Sequence, residues 1–428
     1  MDKSLGQKIR EWRMRKGITQ TELAEGLVTP SMISQIESDK ANPSFKLLEG
    51  ISRKLNVPID EFLMDMQDQL EEDTRYKLAK SLMGSKDYQK AISVLESLDG
   101  ADEHHADEVK LDLADAYVFS KEFEKANKLL EGMIEEIALE RDRSRAVKLY
   151  MKLGWAKMQA RDYVLAKHYL NQALKELTKV QDFPKEDRGV LYIRYSVTLS
   201  HLGEASVALL YYKEAIETLQ GTSNLHLLGD AYQGLANTYY RLHDYEQAAE
   251  NTRTAITMFR SVSNKLLEYR SKQNYGIIQY ELGNFKDSVA QFDECIEEFK
   301  SIGEQEMVAN IYGEMGILNY RQKNYQEAEK WCFRALELLP AEHSERAFVH
   351  RTLGIMYKEL QNYDRALEYM LSSVALFEKF GLLGEASKCY AQIVSIYDSR
   401  GELDKASVFM QKMTTSMQEG LRVRGLYL

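Results

Sequence analysis

One alanine, returning about every 40 residues, constrains this chain more than any other feature. Count three residues on from Tyr88, Phe123, Tyr163, Ala205, Tyr245, Phe285, Tyr325, Tyr363 and Leu403. The residues reached are Ala91, Ala126, Ala166, Ala208, Ala248, Ser288, Ala328, Ala366 and Ala406. The starting points are separated by 35, 40, 42, 40, 40, 40, 38 and 40 residues. Eight alanines and one serine at a single phase define an internal repeat, and a repeat outranks any domain count taken from length. Ten residues after the anchors a second small slot holds Ala173, Ala215, Ala255, Cys295, Ala335 and Ser373. Small side chains at fixed places let paired elements approach closely.

Leu228 to Arg260 shows what the elements are. The stretch reads as two helices joined by Arg241-Leu242-His243-Asp244. Tyr232, Leu235, Ala236 and Tyr239 fall on one helical face, and Ala248 and Ala255 lie two turns apart on the second helix. With only 5 prolines and 24 glycines in 428 residues, long uninterrupted helices are expected throughout. Pro184 and Pro340 fall between repeats, where breaks are needed. In the first helix of the pairs, Gly154, Ala236, Gly276, Gly316 and Gly354 share one phase, mostly with a large residue three further on.

Composition excludes several classes. Cys295, Cys332 and Cys389 form no CxxC pair, which argues against a disulfide framework or zinc site and for a reducing compartment. MDKSLGQKIR has charges where a signal peptide needs an apolar core, and no apolar run approaches membrane length. The expectation is a cytoplasmic protein. No Gly-rich phosphate loop or HExxH motif occurs, and His104-His105 reads as a solvated turn, so neither a cofactor nor catalysis is expected. Net charge is -10, but residues 1–62 hold ten Lys/Arg against nine Asp/Glu. The acidic body repels nucleic acid; Lys8, Arg10, Arg13, Arg15 and Lys16 give the head a basic edge.

Residues 1–62 read as five short helices. Leu5, Ile9 and Trp12 face inward on the first, which Gly17 ends as a left-handed cap. Thr19 and Glu22 make a capping box for a second helix running to about Gly26. Thr29-Pro30 opens a third, through about Ser38, and Asn42-Pro43 opens a fourth that buries Leu47, Leu48, Ile51 and Leu55. Ile59 to Met64 form the last. Ile33 and Ile36 point inward, and Glu37 is expected to pair with a basic group of the head.

The run TQTELAEGLVTPSMISQIESDKANPS, with LNVPIDEFL after it, resembles the helix-turn-helix of the lambda-repressor-like, or XRE, family. The turn Leu27-Val28 departs from that family: it lacks the common glycine and is one residue shorter than in the phage repressors. The resemblance implies that Gln20 donates to a phosphate, that Pro30, Ser31, Met32 and Gln35 face base edges, and that Lys40 meets a phosphate. Gln35 has the clearest chemistry, because an amide bonds adenine N6 and N7 together. The plain alternative is a surface helix of a small bundle; two caps and the match along the whole head favour DNA.

The small-large pattern of the repeats resembles the tetratricopeptide repeat, with a period near 40 in place of the usual 34 or so. The expected architecture is all-α: a five-helix DNA-binding domain at 1–64, a linker at 65–73 that is either helical or flexible, and about nine helix pairs in a right-handed superhelix at 74–428. The first helices should line its concave wall. Inner-facing positions are then Asp230, Gln233, Asn237 and Tyr240, next Arg270, Gln273, Asn274 and Tyr280, then Asn310 and Tyr320, with Arg194 before them and Arg351 after. Amides match an extended peptide backbone, tyrosines give flat walls, and arginines clamp carboxylates. Tyrosine is abundant, at 26 residues, and such tyrosines equally fit the inter-helix core; both readings stand at this point.

Head, acidic connector and repeats together resemble the RRNPP family of Gram-positive bacteria, of its NprR and PlcR type. That resemblance implies a quorum-sensing transcriptional regulator, bound as a homodimer or higher oligomer to a palindromic double-stranded operator. It also implies control by a short imported signalling peptide, gripped by asparagines of which Asn237, Asn274 and Asn310 are the matching positions here. A different reading within the family is a repeat protein that binds a response regulator of the sporulation phosphorelay.

Overall fold

The computed structural model describes residues 4–41, 43, 45–98, 106–140 and 142–423. The Asn42 cap, His104-His105 and residues 424–428 lie outside them. Every regular element among the described residues is a helix. Contacts divide the chain into two compact units, Met1–Leu130 and Glu131–Leu428.

The first unit starts with α1 (Leu5–Arg15), α2 (Gln20–Ala24), α3 (Pro30–Glu37) and α4 (Phe45–Leu55). Their ends are chemically marked. Thr19 and Glu22 complete a capping box on α2, and the Thr29 hydroxyl accepts from the Met32 amide ahead of Pro30 at the start of α3. Gly17 takes φ +70° as expected, and Gly26 takes φ +71° in the turn before α3. The left-handed residue that Leu27-Val28 lacks is thus supplied one position earlier. Leu5, Ile9, Leu23, Ile33, Ile36, Leu48, Ile51, Leu55 and Phe62 form the core, with Leu47 half-buried beside it.

The fifth helix departs from expectation. The short helix expected to end at Met64 does not stop there, and the connector at 65–73 takes the helical form, both being part of one helix, α5 (Asp60–Gly84), that runs into the first repeat. The stretch contains no proline or glycine before Gly84 and is rich in Leu, Met, Gln and Glu, all good helix formers. Nothing in it stops a helix. The repeats continue with α6 (Tyr88–Glu96), α7 (Ala106–Phe119) and α8 (Phe123–Glu140).

The second unit holds the remaining pairs: α9 (Arg143–Gln159) with α10 (Tyr163–Leu177), α11 (Lys185–His201) with α12 (Ala205–Leu219), α13 (Leu225–Arg241) with α14 (Tyr245–Ser261), α15 (Lys265–Glu281) with α16 (Phe285–Ser301), α17 (Gln305–Arg321) with α18 (Tyr325–Leu338), α19 (Ser344–Glu359) with α20 (Tyr363–Lys379), and α21 (Leu383–Ser399) with α22 (Leu403–Val423). Each of the nine sequence anchors is the first residue of an even-numbered helix, from Tyr88 in α6 to Leu403 in α22.

Packing explains the phase. The alanines three residues into these helices, and Ser288, are fully buried, apart from 7% exposure at Ala406. Glycines of the first helices meet the second helices edge-on. A Cβ on Gly154 would stand 2.6 Å from Leu170, on Gly276 2.7 Å from Phe292, and on Gly316 2.6 Å from Cys332. Cys295 and Cys332 are buried, and burial pushes both thiols up to about 12, so they behave as small core residues.

The turns inside the pairs share one geometry. The residue two before each anchor is left-handed: Lys86, Lys121, Arg161, Gly203, His243, Gly283, Lys323, Gln361 and Gly401. The next residue is always Asp, Glu or Asn, and its amide bonds back to the preceding helix, as in Asp244 to Tyr239 O at 3.0 Å. In several pairs its side chain then caps the following helix, as Asp244 does toward the Gln247 amide. One residue therefore ends one helix and starts the next. In the second unit α9, α11 and α13 touch in succession, as do α15, α17, α19 and α21. No two even-numbered helices of this unit meet to that extent among the described residues, so the odd-numbered helices form the inner wall.

Candidate DNA-reading head and ligand groove

Helix α3 presents a sharp division of faces. Ile33, Ile36 and Glu37 are buried, while Pro30, Ser31, Met32, Ser34, Gln35 and Lys40 are exposed. Five of the six positions expected to meet DNA are therefore free to touch a groove, and Ser34 joins them on the exposed side. Gln20 differs. It is half-buried and its amide donates to Glu37 Oε2 at 2.8 Å. Glu37, only 5% exposed, also accepts from two of the three Arg13 nitrogens, Nε and Nη2, with Nη2 at 2.9 Å from Oε2. Arg13 Nη1 reaches the Ile18 carbonyl at 2.9 Å, which ties the α1–α2 turn to the same node. The carboxylate holds the Arg13 guanidinium above its ordinary pKa by hydrogen bonding and charge, against desolvation. Gln20 is thus held in place by the head's polar centre.

In the second unit, α11, α13, α15 and α17 enclose a cavity of about 600 Å³. Six sequence candidates line it together: Gln233, Asn237, Arg270, Gln273, Asn274 and Asn310. Gln233 Nε2 donates to Asn237 Oδ1 at 3.0 Å. The carbonyl oxygens of Gln233 and Asn310 are buried and accept no hydrogen bond. Asp230 also lines the cavity; burial raises its carboxyl, and His226 at 3.3 Å draws it down. Arg241 on the same wall gives Nη1 to the Ser200 carbonyl at 3.0 Å.

Five candidates lie outside the cavity lining. Tyr240, Tyr280 and Tyr320 each stand one residue before a helix end, where the turn folds the ring against the next helix. Tyr240 meets Tyr245 at 5.5 Å between centroids, Tyr280 meets Phe285 at 5.1 Å, and Tyr320 meets Tyr325 at 6.4 Å. Tyr320 gives its hydroxyl to Glu359 at 2.6 Å, and burial with Glu281 pushes Tyr240 up to about 12. These contacts are inter-helix packing. Arg194 lies over Trp155 at 5.4 Å and 3.5 Å from the Met151 carbonyl. Arg351 is paired with Glu385 and lies 5.2 Å over Phe348.

Two wall residues escaped the sequence reading. Glu314 takes the place of Asn274 one repeat later, and Glu345 takes the place of Leu267 and Met307, both of which line the cavity. Burial and the Glu345 charge push the Glu314 carboxyl up to about 7, opposed by Arg321. Burial raises Glu345 as well. The repeat register was the available signal, since it assigns both to the inner wall. No group of His, Cys, Asp and Glu able to hold a metal occurs among the described residues, and no helix there is long and apolar enough to cross a membrane.

Comparisons with known proteins agree with this architecture. Residues 9–62 match the family model for the helix-turn-helix, and residues 82–153 and 307–379 match models for the tetratricopeptide repeat. No curated protein matches the sequence. Among solved structures, the apo form of the quorum sensor NprR from B. thuringiensis is similar at 15% identity and a TM-score of 0.53, over 82% of this chain and 100% of that one. NprR in complex with its cognate peptide NprX aligns at 15% identity and a TM-score of 0.50, over 72% and 89%. Aspartyl phosphate phosphatase F from Bacillus subtilis aligns at 17% identity and 0.51, over 99% and 96%. Residues 9–62 thus belong to the XRE-type helix-turn-helix proteins and residues 82–153 and 307–379 to the tetratricopeptide repeats, in a chain that shares its fold with NprR and phosphatase F.

Proposed function

We propose that this chain is a cytoplasmic transcriptional regulator of the RRNPP kind, whose DNA binding is controlled by a short linear peptide held in the groove of the repeats. The observation that carries the reading is the pair of buried, unanswered amide oxygens of Gln233 and Asn310 in a cavity also lined by Asn237 and Asn274. An extended peptide backbone supplies N–H donors at the spacing such a wall offers. The exposed face of α3 supports the DNA end, with Gln35 and Ser31 as base-reading groups and Lys40 as a phosphate contact. NprR, which shares the fold, has been solved with a peptide. Two heads in a homodimer match a palindromic operator, and a ligand favouring one arrangement of the repeats shifts that equilibrium.

The test is direct. Protein purified from its native host is stripped of bound peptides, which are identified by mass spectrometry, and operator binding is measured before and after. The reading predicts that stripping changes DNA affinity and that Asn237→Ala with Asn274→Ala weakens peptide binding at least tenfold. Unchanged peptide affinity in that double variant would sink the groove, and no enriched sequence in a randomised-site selection would sink the DNA end. A second reading has its own support: phosphatase F aligns along nearly the whole chain. On that reading the repeats bind a response regulator of a phosphorelay. A pull-down that captures none, with and without peptide, removes it.

A further inference from the structure

Most charges on the inner wall are answered. Arg241 bonds the Ser200 carbonyl, Arg321 pairs with Glu281 at 2.6 Å, Arg351 pairs with Glu385, and Asp230 faces His226. Three are not. Arg270 is exposed in the cavity and makes no hydrogen bond or ion pair among the described residues. The carboxylates of Glu314 and Glu345 likewise form no ion pair among the described residues, and Arg321 and His343 act on them only from farther off. These three are not scattered. Arg270 and Asn310 occupy the same place in successive repeats, and Glu314 lies one turn beyond Asn310 on α17. The unanswered oxygen of Asn310 therefore sits between the lone cation and the lone acids.

We propose that the groove takes a peptide bearing both charges, its acidic group on Arg270 and its basic group at Glu314 and Glu345, and that this fixes the direction in which the peptide lies. The proposal rests on the peptide reading above and adds to it the chemical class of the ligand. An uncompensated carboxylate in a crowded wall is costly, which the raised Glu314 and Glu345 carboxyls express, and a bound ammonium or guanidinium removes that cost. Geometry sets the spacing of the charges. Packed helices lie about 8–10 Å apart and one helical turn rises about 5–6 Å, so the two ends stand on the order of 10–12 Å apart. An extended chain covers that span in about three to five residues, allowing for side-chain reach.

The experiment is an affinity selection by the full-length protein on synthetic random heptapeptides, made with free, acetylated and amidated ends and read by mass spectrometry. The expected enrichment is an Asp, Glu or free carboxyl end about three to five residues from a Lys, Arg or free amino end. Arg270→Glu should replace the acidic preference by a basic one, and Glu314→Lys should do the reverse at the other end. Loss of one charge on an enriched peptide should weaken binding about tenfold or more. Arg270→Gln and Glu314→Gln, gentler changes whose folding is checked by thermal melting, should lose the matching preference without reversing it. Enriched peptides that depend on Asn237 and Asn274 yet show no charge pattern would overturn this inference and leave the peptide reading standing. No enrichment over an unrelated repeat protein would overturn both.

Discussion

The head and the repeats solve the same packing problem by opposite means. In the head, contacts occur once. Glu37 alone gathers Arg13 and Gln20, and Asp39 alone accepts the Gly6 amide at 2.9 Å to cap α1. Gly6 has no substitute, because a Cβ there would lie 2.1 Å from the Ile36 carbonyl. In the repeats each contact recurs: nine left-handed turns, nine small residues at one phase, and glycines set against the next helix in at least three pairs. A small domain with one core holds only a few kcal/mol in reserve, whereas a stack of repeats loses only the local share of its nearest-neighbour energy. Damage should therefore spread through the head and stay local in the repeats.

The largest expected effect is in the head. Glu37→Ala leaves a half-buried guanidinium and the Gln20 amide without their acceptor, at about 3 kcal/mol. Hydrogen exchange should show protection lost across α1 to α4, and operator binding should vanish with it. Retained protection of the Leu23 and Ile33 amides would break the comparison on the head's side. Next comes the counterpart in the repeats, Gly276→Val. Its Cβ meets Phe292 at 2.7 Å inside a filled core, for about 1–3 kcal/mol. Exchange should rise in α15, α16 and their neighbours while α21 and α22 keep their protection. Gln35→Ala, exposed on α3, should leave the fold alone and relax base preference by about 1–2 kcal/mol at one operator position, read by competition binding against point-substituted sites.

The same contrast governs how much the residues disclosed beforehand. Capping boxes and apolar spacing are local codes, so the helices of the head and the inward aim of Ile33 and Ile36 could be read from adjacent residues. Repetition made the array legible as well, since nine copies average out local noise. What adjacent residues could not give needed knowledge of context. Tyr240, Tyr280 and Tyr320 have the spacing of a groove ladder, but helix ends turn their rings onto the next helix. Gln20 has the sequence position of a phosphate donor, but the buried Glu37 already holds its amide. The acidic run at 65–73 could be read as helical or flexible, and only the structure shows the helix before it continuing through Met64, since a change of composition does not end a helix. The Asp, Glu or Asn before every anchor was visible all along and marks each turn.

Glu314 tests whether the inner wall keeps a charge at a cost to the fold. Glu345 on α19 and Tyr240 on α13 lie near it, and Arg321 on its own helix opposes them. Its carboxyl goes from the ordinary 4.5 to about 7 in the folded protein. Below pH 4.5 it is neutral in both states and costs nothing. Between 4.5 and about 7 the unfolded chain ionises first, so stability falls as pH rises, and the full cost applies above 7. Partial exposure reduces that cost to on the order of 1–2 kcal/mol. Glu314→Gln should therefore raise the denaturation midpoint at pH 8 and leave it nearly unchanged at pH 5. An equal gain at both pH values would assign the effect to packing.

The smallest effects give the sharpest check, because the turns pose one backbone problem to different residues. Gly283 and Lys323 hold equivalent places, at φ +82° and +62°, each followed by an asparagine whose amide bonds back at 2.9 Å. Lys323 is exposed and has no ion pair among the described residues, and nothing stands within 4 Å of a Cβ added at Gly283. Side-chain contacts therefore contribute little at either site, and what remains is the backbone. A left-handed residue with a Cβ costs about 1 kcal/mol relative to glycine, partly offset because glycine loses more entropy on folding. Gly283→Ala should destabilise by about 1 kcal/mol and Lys323→Gly should stabilise by about 0.5 kcal/mol. Both are read as shifts in urea midpoint at constant slope. If the two substitutions moved stability in the same direction, the turns would not be equivalent, and the repeats would be as individual as the head.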